Sequence, residues 1–430
     1  MRGRERQRAP IQKSTRNRLV ALLSMALMGA MLLLPSVAAA ADDVYSTISP
    51  ESKDGRDIQF LYKLIFWLAL FVFVGVQLAI VYSVLRYRRR YESEPRPEQI
   101  HGNQKLEVLW TIIPAIVLVA IFIPTVRTMY RIDDRANDSA YTIEVYGKQW
   151  WWEVHYTQPD TVSGVVTANE FYIPVNTRVR IELMSSNVIH SFYVPQLAGK
   201  MDVMPGHKNV MSVEADKPGM YYGECAEYCG ESHAYMRFKI IAVPQDQFDV
   251  FINGWKQGAS SQAASMAPNG DVDSVPTALG LCLGCHRIGG VPNNPSGQPL
   301  PDPAMGIAGG TQPNQILGPN LSMLACRTTL AAGIVPNDDK HLREWLHNPG
   351  GVKQGNFMAT MIHEGTLTND QIDQIVAYLK TLHPEAGCPT ITGINADKVH
   401  RLADENAPAQ TADQSTTADE ASIIEMRNKS

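Results

Sequence analysis

The sequence predicts a three-part chain: a two-helix transmembrane hairpin, an all-β sandwich and a small all-α domain. Three observations carry that prediction. Two uncharged apolar runs long enough to span a membrane lie between residues 62 and 127. Residues 141–243 then alternate apolar and polar side chains with period two. Beyond them a Cys-x-x-Cys-His motif at 282–286 precedes an apolar stripe of helical period. A chain of 430 residues has room for two or three domains. Its formal net charge of -5 gives no support to a nucleic-acid partner.

Residues 1–41 read as a signal peptide. Arg2, Arg4, Arg6, Arg8, Lys13, Arg16 and Arg18 precede an apolar run from Leu19 to Leu34, and a small-residue tract offers an Ala-x-Ala cleavage site before Asp42. An uncleaved anchor is the alternative. Residues 42–130 form the hairpin, with spans at about 62–85 and 108–127, each long enough to cross roughly 30 Å of hydrocarbon. The basic cluster Arg86-Tyr87-Arg88-Arg89-Arg90 between them keeps the connecting loop cytoplasmic, so everything after Arg127 is extracytoplasmic. Membrane lipid is therefore one partner.

Residues 131–256 carry the strand pattern. Val179, Ile181 and Leu183 alternate with Arg178, Arg180 and Glu182; Ile143 and Val145 open another strand, and Met236, Phe238 and Ile240 a further one. Short strands separated by turn residues predict an antiparallel sandwich. The tract Trp150-Trp151-Trp152 on such a strand would point to alternating faces, so the three cannot all be core. Phe248, Phe251, Ile252 and Trp255 give a short amphipathic helix. Residues 257–275, rich in Ala, Ser, Gly and Gln, read as a flexible linker.

Between two of the strands lies Gly223-Glu224-Cys225-Ala226-Glu227-Tyr228-Cys229-Gly230-Glu231-Ser232-His233-Ala234-Tyr235-Met236. Two thiols, an imidazole and a thioether in so short a loop are soft and borderline donors, and His190 upstream adds a second imidazole. Copper suits this set. Zinc would accept the two cysteines and two histidines but leaves Met236 without a role, and a plain disulfide is a further possibility.

Cys282-Leu283-Gly284-Cys285-His286 is the attachment signature of a c-type haem: two thiols bind the macrocycle covalently and the histidine ligates iron. The surrounding domain spans 276–390. Thr368 with Gln371 marks a helix start, and Ile372, Ile375, Val376 and Leu379 supply one apolar stripe. Cys326 and Cys388 are left over and could pair in an oxidising compartment. Residues 391–430 read as a disordered polar tail.

The cysteine loop closely resembles the binuclear copper (CuA) motif of cytochrome c oxidase subunit 2, Cys-x-Glu-x-Cys-x-x-x-His-x-x-Met, and fills every ligand position. The resemblance implies a cupredoxin-like Greek-key sandwich, with His190, Cys225, Glu227 (through its carbonyl), Cys229, His233 and Met236 holding two copper ions. It also implies a magnesium ion shared with subunit 1 through the Glu227 carboxylate. Gln149-Trp150-Trp151-Trp152 matches the family pattern Gln-Trp-x-Trp, in which Trp150 would be an exposed tryptophan where electrons enter and Trp152 would pack inward. Glu107, ahead of Val108-Leu109-Trp110-Thr111-Ile112-Ile113-Pro114, matches the glutamate at the mouth of a proton path into subunit 1; read from the residue alone it is an interfacial charge. His207 stands where the family usually has arginine.

The later domain resembles class I cytochrome c. Val352-Lys353-Gln354-Gly355-Asn356-Phe357-Met358 is similar to its methionine loop, which implies Met358 as the second axial ligand, with Met361, His347 and His363 as rivals. Gly318-Pro319-Asn320-Leu321 is similar to the loop beside the proximal histidine. Together the resemblances imply subunit 2 of a proton-pumping cytochrome c oxidase in a bacterial plasma membrane. Its partners would be subunit 1, further oxidase subunits and a cytochrome c or other respiratory donor. A CuA-type nitric oxide reductase subunit and a membrane-anchored periplasmic electron carrier without an oxidase partner are the alternatives.

Overall fold

The computed structural model describes residues 46–87, 98, 102–265, 276–283, 285–288, 318–384 and 387–388. The signal segment, the basic cluster beyond Tyr87, the end of the expected linker and the polar tail lie outside the described residues. The chain divides into two units, one holding residues 59–128 and the other 45–58 with everything from 129 onward.

The first unit consists of long apolar helix. Helix α1 spans Lys53–Tyr87 and α2 spans Gln104–Asn137, so both are longer than the expected spans. Their membrane-compatible stretches have mean hydropathies of 2.7 and 2.6. The extra length comes from polar ends that cap well. Ser52 Oγ accepts from the N–H of Gly55 at 2.8 Å, and Asp54 sits favourably in the first turn of α1. At the start of α2, Asn103 Oδ1 accepts from Leu106 N at 3.3 Å while Glu107 Oε1 accepts from Asn103 N, also at 3.3 Å. That reciprocal pair satisfies amides the helix leaves open. In this structure Glu107 is an exposed capping residue.

In the second unit a sandwich follows α2. Its strands are β1 (Tyr141–Lys148), β2 (Trp151–Gln158), β3 (Val166–Ala168), β4 (Glu170–Pro174), β5 (Val179–Ser185), β6 (His190–Tyr193), β7 (Met201–Val203), β8 (Asn209–Val213), β9 (Gly219–Cys225) and β10 (Arg237–Val243). One sheet has the order β3-β2-β1-β5-β8 and the other β4-β10-β9-β6-β7. Burial alternates strictly along β5, as its sequence demands. The sandwich is not purely antiparallel, because β1 pairs parallel with β5 and β4 parallel with β10. Parallel neighbours need a crossover, and the chain supplies it by leaving the first sheet through β4 and returning at β5. Trp152 fills the centre, edge-on to Phe192 at 5.6 Å and to Phe238 at 5.3 Å.

Helix α3 (Gln245–Ser265) closes the sandwich by burying Phe248, Phe251, Ile252 and Trp255. It also corrects the expected linker, since it stays helical through residues 257–265. Alanine and glutamine are good helix formers, and Gly254 and Gly258 let the helix approach the C-terminal domain closely. A Cβ on Gly254 would lie 3.1 Å from Pro384 Cγ, and one on Gly258 would lie 3.0 Å from Met323 Sδ.

The C-terminal domain holds a helical turn at Gly280–Leu283, a two-stranded ribbon of β11 (Thr329–Leu330) and β12 (Val335–Pro336), and helices α4 (Asp339–His347) and α5 (Asn369–Leu379). Thr368 and Gln371 form the expected capping box, and Ile372, Ile375, Val376 and Leu379 are buried with Leu279, Leu342 and Leu346. Cys326 and Cys388 form a disulfide.

This domain overturns one expectation about the tryptophans. All three are buried, Trp150 at 8%, Trp151 at 6% and Trp152 at 0% exposure. Trp152 sits at the centre of the sandwich core and Trp150 at its margin, and the outer two are covered from the C-terminal domain: Trp150 stacks on Phe357, and Trp151 packs with Ala332. Trp150 is therefore not an exposed residue.

Candidate copper and haem sites

Hairpin geometry builds the sulfur cluster. β9 and β10 are antiparallel neighbours, so the loop joining them brings Cys225, Cys229, His233 and Met236 to one end of the sandwich. β6 lies on the other side of β9, with Phe192 opposite Cys225, and this register delivers His190 to the same end. Cys225 Sγ lies 3.8 Å from Cys229 Sγ and 3.9 Å from His190 Nδ1. Cys229 Sγ lies 3.6 Å from His233 Nδ1 and 3.8 Å from Met236 Sδ. The carbonyl of Glu227 is 3.2 Å from Cys225 Sγ, while the Glu227 side chain is exposed. His190, Cys225 and Cys229 are all buried, with donor atoms within 4.8 Å of one another.

The sulfurs are too far apart for a disulfide, whose S–S bond is about 2.05 Å, yet close enough for metal ions to bridge them. A hydrogen bond from Cys229 holds the Cys225 thiol far below its usual range; the same bond, reinforced by burial, pushes the Cys229 thiol up. A cation between the sulfurs would favour the ionised form of both. Two thiols, two imidazoles and a thioether are a donor set that fits copper.

Supporting contacts aim these donors. Asn187 Oδ1 lies 3.1 Å from His190 Nε2 and leaves Nδ1 toward the sulfurs, the outer-shell arrangement of metal-bound histidines. A Cβ on Gly147 would come within 2.7 Å of the His190 ring, so only glycine lets the imidazole sit there. Gln149 Nε2 and Trp150 Nε1 donate to the carbonyl of Cys229 at 2.8 and 3.0 Å.

In the C-terminal domain Cys282 and Cys285 are free thiols. His286 Nδ1 lies 2.8 Å from the carbonyl of Pro319, which leaves Nε2 for a metal, and a Cβ on Gly318 would fall 2.5 Å from the ring. Burial lowers the basicity of this imidazole and favours its neutral, ligating form. Cys282 and Met358 both pack, half-buried, against the helical core, whereas Met361 is 69% exposed. These residues fit a covalently held haem.

Comparison with known proteins gives a consistent picture. Residues 48–128 match the transmembrane domain of cytochrome c oxidase subunit II, residues 160–243 its periplasmic domain, and residues 280–383 cytochrome c. The chain is 32% identical to cytochrome c oxidase subunit 2 of Alkalihalophilus pseudofirmus over 336 residues, covering 76% of this chain and 89% of the relative. It is likewise 32% identical to the subunit of Bacillus sp. PS3 over 312 residues, 69% of this chain and 80% of the relative. The chain belongs to the cytochrome c oxidase subunit 2 family. A crystal structure of the periplasmic domain of subunit II from Bradyrhizobium japonicum is 32% identical and covers 27% of this chain and 92% of its own, with a TM-score of 0.25.

As a member of the subunit 2 family, the chain is a membrane-anchored subunit of a haem-copper oxidase complex. It has a cupredoxin-like extracytoplasmic domain and a fused cytochrome c domain, and these imply copper and haem c. His207 is exposed after β7.

Several residues of the site were not singled out by sequence reasoning. Asn187 and Gly147 carry no motif and matter only through His190. Lys353 and Phe357 lie inside the quoted methionine loop, but nothing local says that they reach Trp150. Glu170 on β4 looks like an ordinary strand-end acid, yet it is 4% exposed and bonded to the haem domain.

Proposed function

We propose that this chain is the electron-input subunit of a proton-pumping cytochrome c oxidase. Electrons from a cytochrome c or similar respiratory donor would arrive on its haem c and leave through CuA to the oxygen-reducing site of subunit 1. The observation that carries this reading is the meeting of two thiols, two imidazoles and a thioether at one end of a sandwich whose own chain supplies a haem domain. The bound copper pair and haem supply one-electron carriers that change state without making or breaking bonds.

The chain's residues then have distinct tasks. His190, Cys225, Cys229, His233, Met236 and the Glu227 carbonyl would hold the copper pair, and burial would keep water from the sulfurs. Cys282 and Cys285 would anchor the haem, with His286 and Met358 as its two iron ligands. Trp150, hydrogen-bonded to the Cys229 carbonyl, lies where an electron enters the copper domain. The exposed Glu227 carboxylate is free to share a magnesium ion with subunit 1. Glu107, at the start of α2, is assigned to the mouth of a proton path into that subunit. We place the complex in a bacterial plasma membrane with both cofactor domains on the periplasmic side.

Purification of the membrane complex tests the reading. Metal analysis should return three coppers per copy of this chain, two held by this chain and one in the haem-copper site of subunit 1, together with one covalent haem, and the complex should consume oxygen. Zinc in this chain, or fewer than three coppers, would remove the binuclear centre; reduction of nitric oxide without oxygen consumption would move the chain to a different reaction.

A further inference from the structure

The contact between the haem domain and the copper-ligand loop is concentrated on one stretch, Lys353–Met358. Phe357 stacks on Trp150, with ring centroids 5.1 Å apart and planes inclined by 23°. Lys353 Nζ donates to the main-chain oxygen of Trp150 at 2.6 Å. The same tryptophan is thus held by its indole face and by its backbone. Next to it Ser232 Oγ donates to the carbonyl of Gln354, and Gly355 lies so close to Glu231 that a Cβ would come within 2.7 Å of Glu231 Cγ. Ser232 and Glu231 sit between the ligands Cys229 and His233. Tyr235, between His233 and Met236, packs in turn against the core of the haem domain.

Lys353 is unusual chemistry for a packing role. It is 4% exposed, and its ammonium hydrogen-bonds to a main-chain carbonyl, not to a carboxylate. A buried amine is costly unless it is hydrogen-bonded or paired, and the Trp150 carbonyl supplies that bond. Phe357, next to Met358 in the chain, carries the contact from the candidate axial ligand to the Trp150 ring. Trp150 Nε1 carries it to the carbonyl of Cys229. The route from haem ligand to copper ligand therefore runs through atoms in contact. Electron tunnelling falls off less steeply through touching atoms than across a water-filled gap.

We propose that Phe357 and Lys353 are positioning residues for haem-to-copper electron transfer, gripping Trp150 at two points so that the haem domain stays seated on the copper-ligand loop. The inference rests on the electron-input reading above. The step moves one electron from reduced haem iron to the copper pair, with no proton transferred and no bond made or broken. Seating also makes the exchange internal: diffusion of the tethered domain is not part of each turnover.

The test uses the complete oxidase complex with the haem pre-reduced, and follows the haem and copper absorption bands separately. In the unaltered complex the transfer rate should not change when glycerol raises the viscosity. Phe357→Leu and Lys353→Met should each slow transfer by about tenfold or more, the scale on which small misplacements act. They should also make it viscosity-dependent, with haem content, copper content and both midpoint potentials kept. Phe357→Tyr should retain the rate. Equal rates in all variants, or a viscosity-dependent rate in the unaltered complex, would overturn the proposal. An unaltered complex that holds no copper, or that passes no electron from haem to copper, would instead overturn the electron-input reading itself.

Discussion

The carboxylate of Glu170, on β4 of the copper domain, accepts the main-chain N–H of Thr329, on β11 of the haem domain, at 2.8 Å. The N–H and hydroxyl of Thr328 add bonds of 2.9 and 3.0 Å to it, and Lys239 Nζ reaches the Thr328 hydroxyl at 2.9 Å. A buried acid on one domain is thus satisfied by the other. Glu170→Ala removes the acceptor and leaves buried amides and the Lys239 ammonium behind, a loss of about 3–5 kcal/mol by analogy with broken buried charge networks. Calorimetry of the variant complex should show the haem domain melting earlier than, and apart from, the copper domain. A single unshifted transition would show that Glu170 does not hold the domains together.

Glu153 governs the acid limit of the copper domain. Burial alone would raise its pKa, but the hydrogen bond from His155 and the charge of Lys148 win and hold it at about 2 instead of 4.5. A folded-state value below the unfolded one means stability that is present above pH 4.5 and lost as the pH falls through 2. The difference corresponds to about 3 kcal/mol. Glu153→Gln should lower the urea midpoint at pH 7 and lose this deficit progressively between pH 4.5 and 2. Parallel stability curves across that window would exclude Glu153 as the titrating group.

The haem potential reports the axial ligand. Met358 packs against the helical core beside Cys282 while Met361 is exposed, so Met358→His should lower the midpoint potential and Met361→His should leave it in place. Redox titration of the two variants separates them, and the opposite pattern would reassign the ligand.

The disulfide between Cys326 and Cys388 closes a loop with a sequence separation of 62. Loop-closure entropy of that size stabilises the fold by about 4 kcal/mol. The double variant Cys326→Ser/Cys388→Ser should therefore unfold its haem domain at lower temperature, with covalent haem retained. An unchanged melting temperature would mean that packing against the copper domain already restrains this segment.

Legibility in the sequence followed locality. The soft donors of the copper loop fall within a dozen residues, and Cys282, Cys285 and His286 are consecutive in a motif, so their chemistry could be read before their geometry. His190 was recognisable because a second imidazole was wanted; the β6–β9 register that delivers it was not. The parallel pairings of β1 with β5 and of β4 with β10 escaped because period-two patterning says which face is buried and not which neighbour a strand takes. Residues 257–265 lack apolar periodicity, and the contact of Gly258 with Met323 and Pro384 is one no local pattern encodes. Trp150 and Trp151 read as too many aromatics for one core because the surface covering them comes from residues some 180 or more positions later.

The seating of the haem domain has a consequence for how the protein matures. His190 is 0%, Cys225 6% and Cys229 3% exposed, and the loop over them is braced by Gln354, Gly355 and Phe357. A copper donor has little to approach once that brace is in place. Metal delivery is therefore expected before the two domains close, and a chain that closes empty should take up copper more slowly.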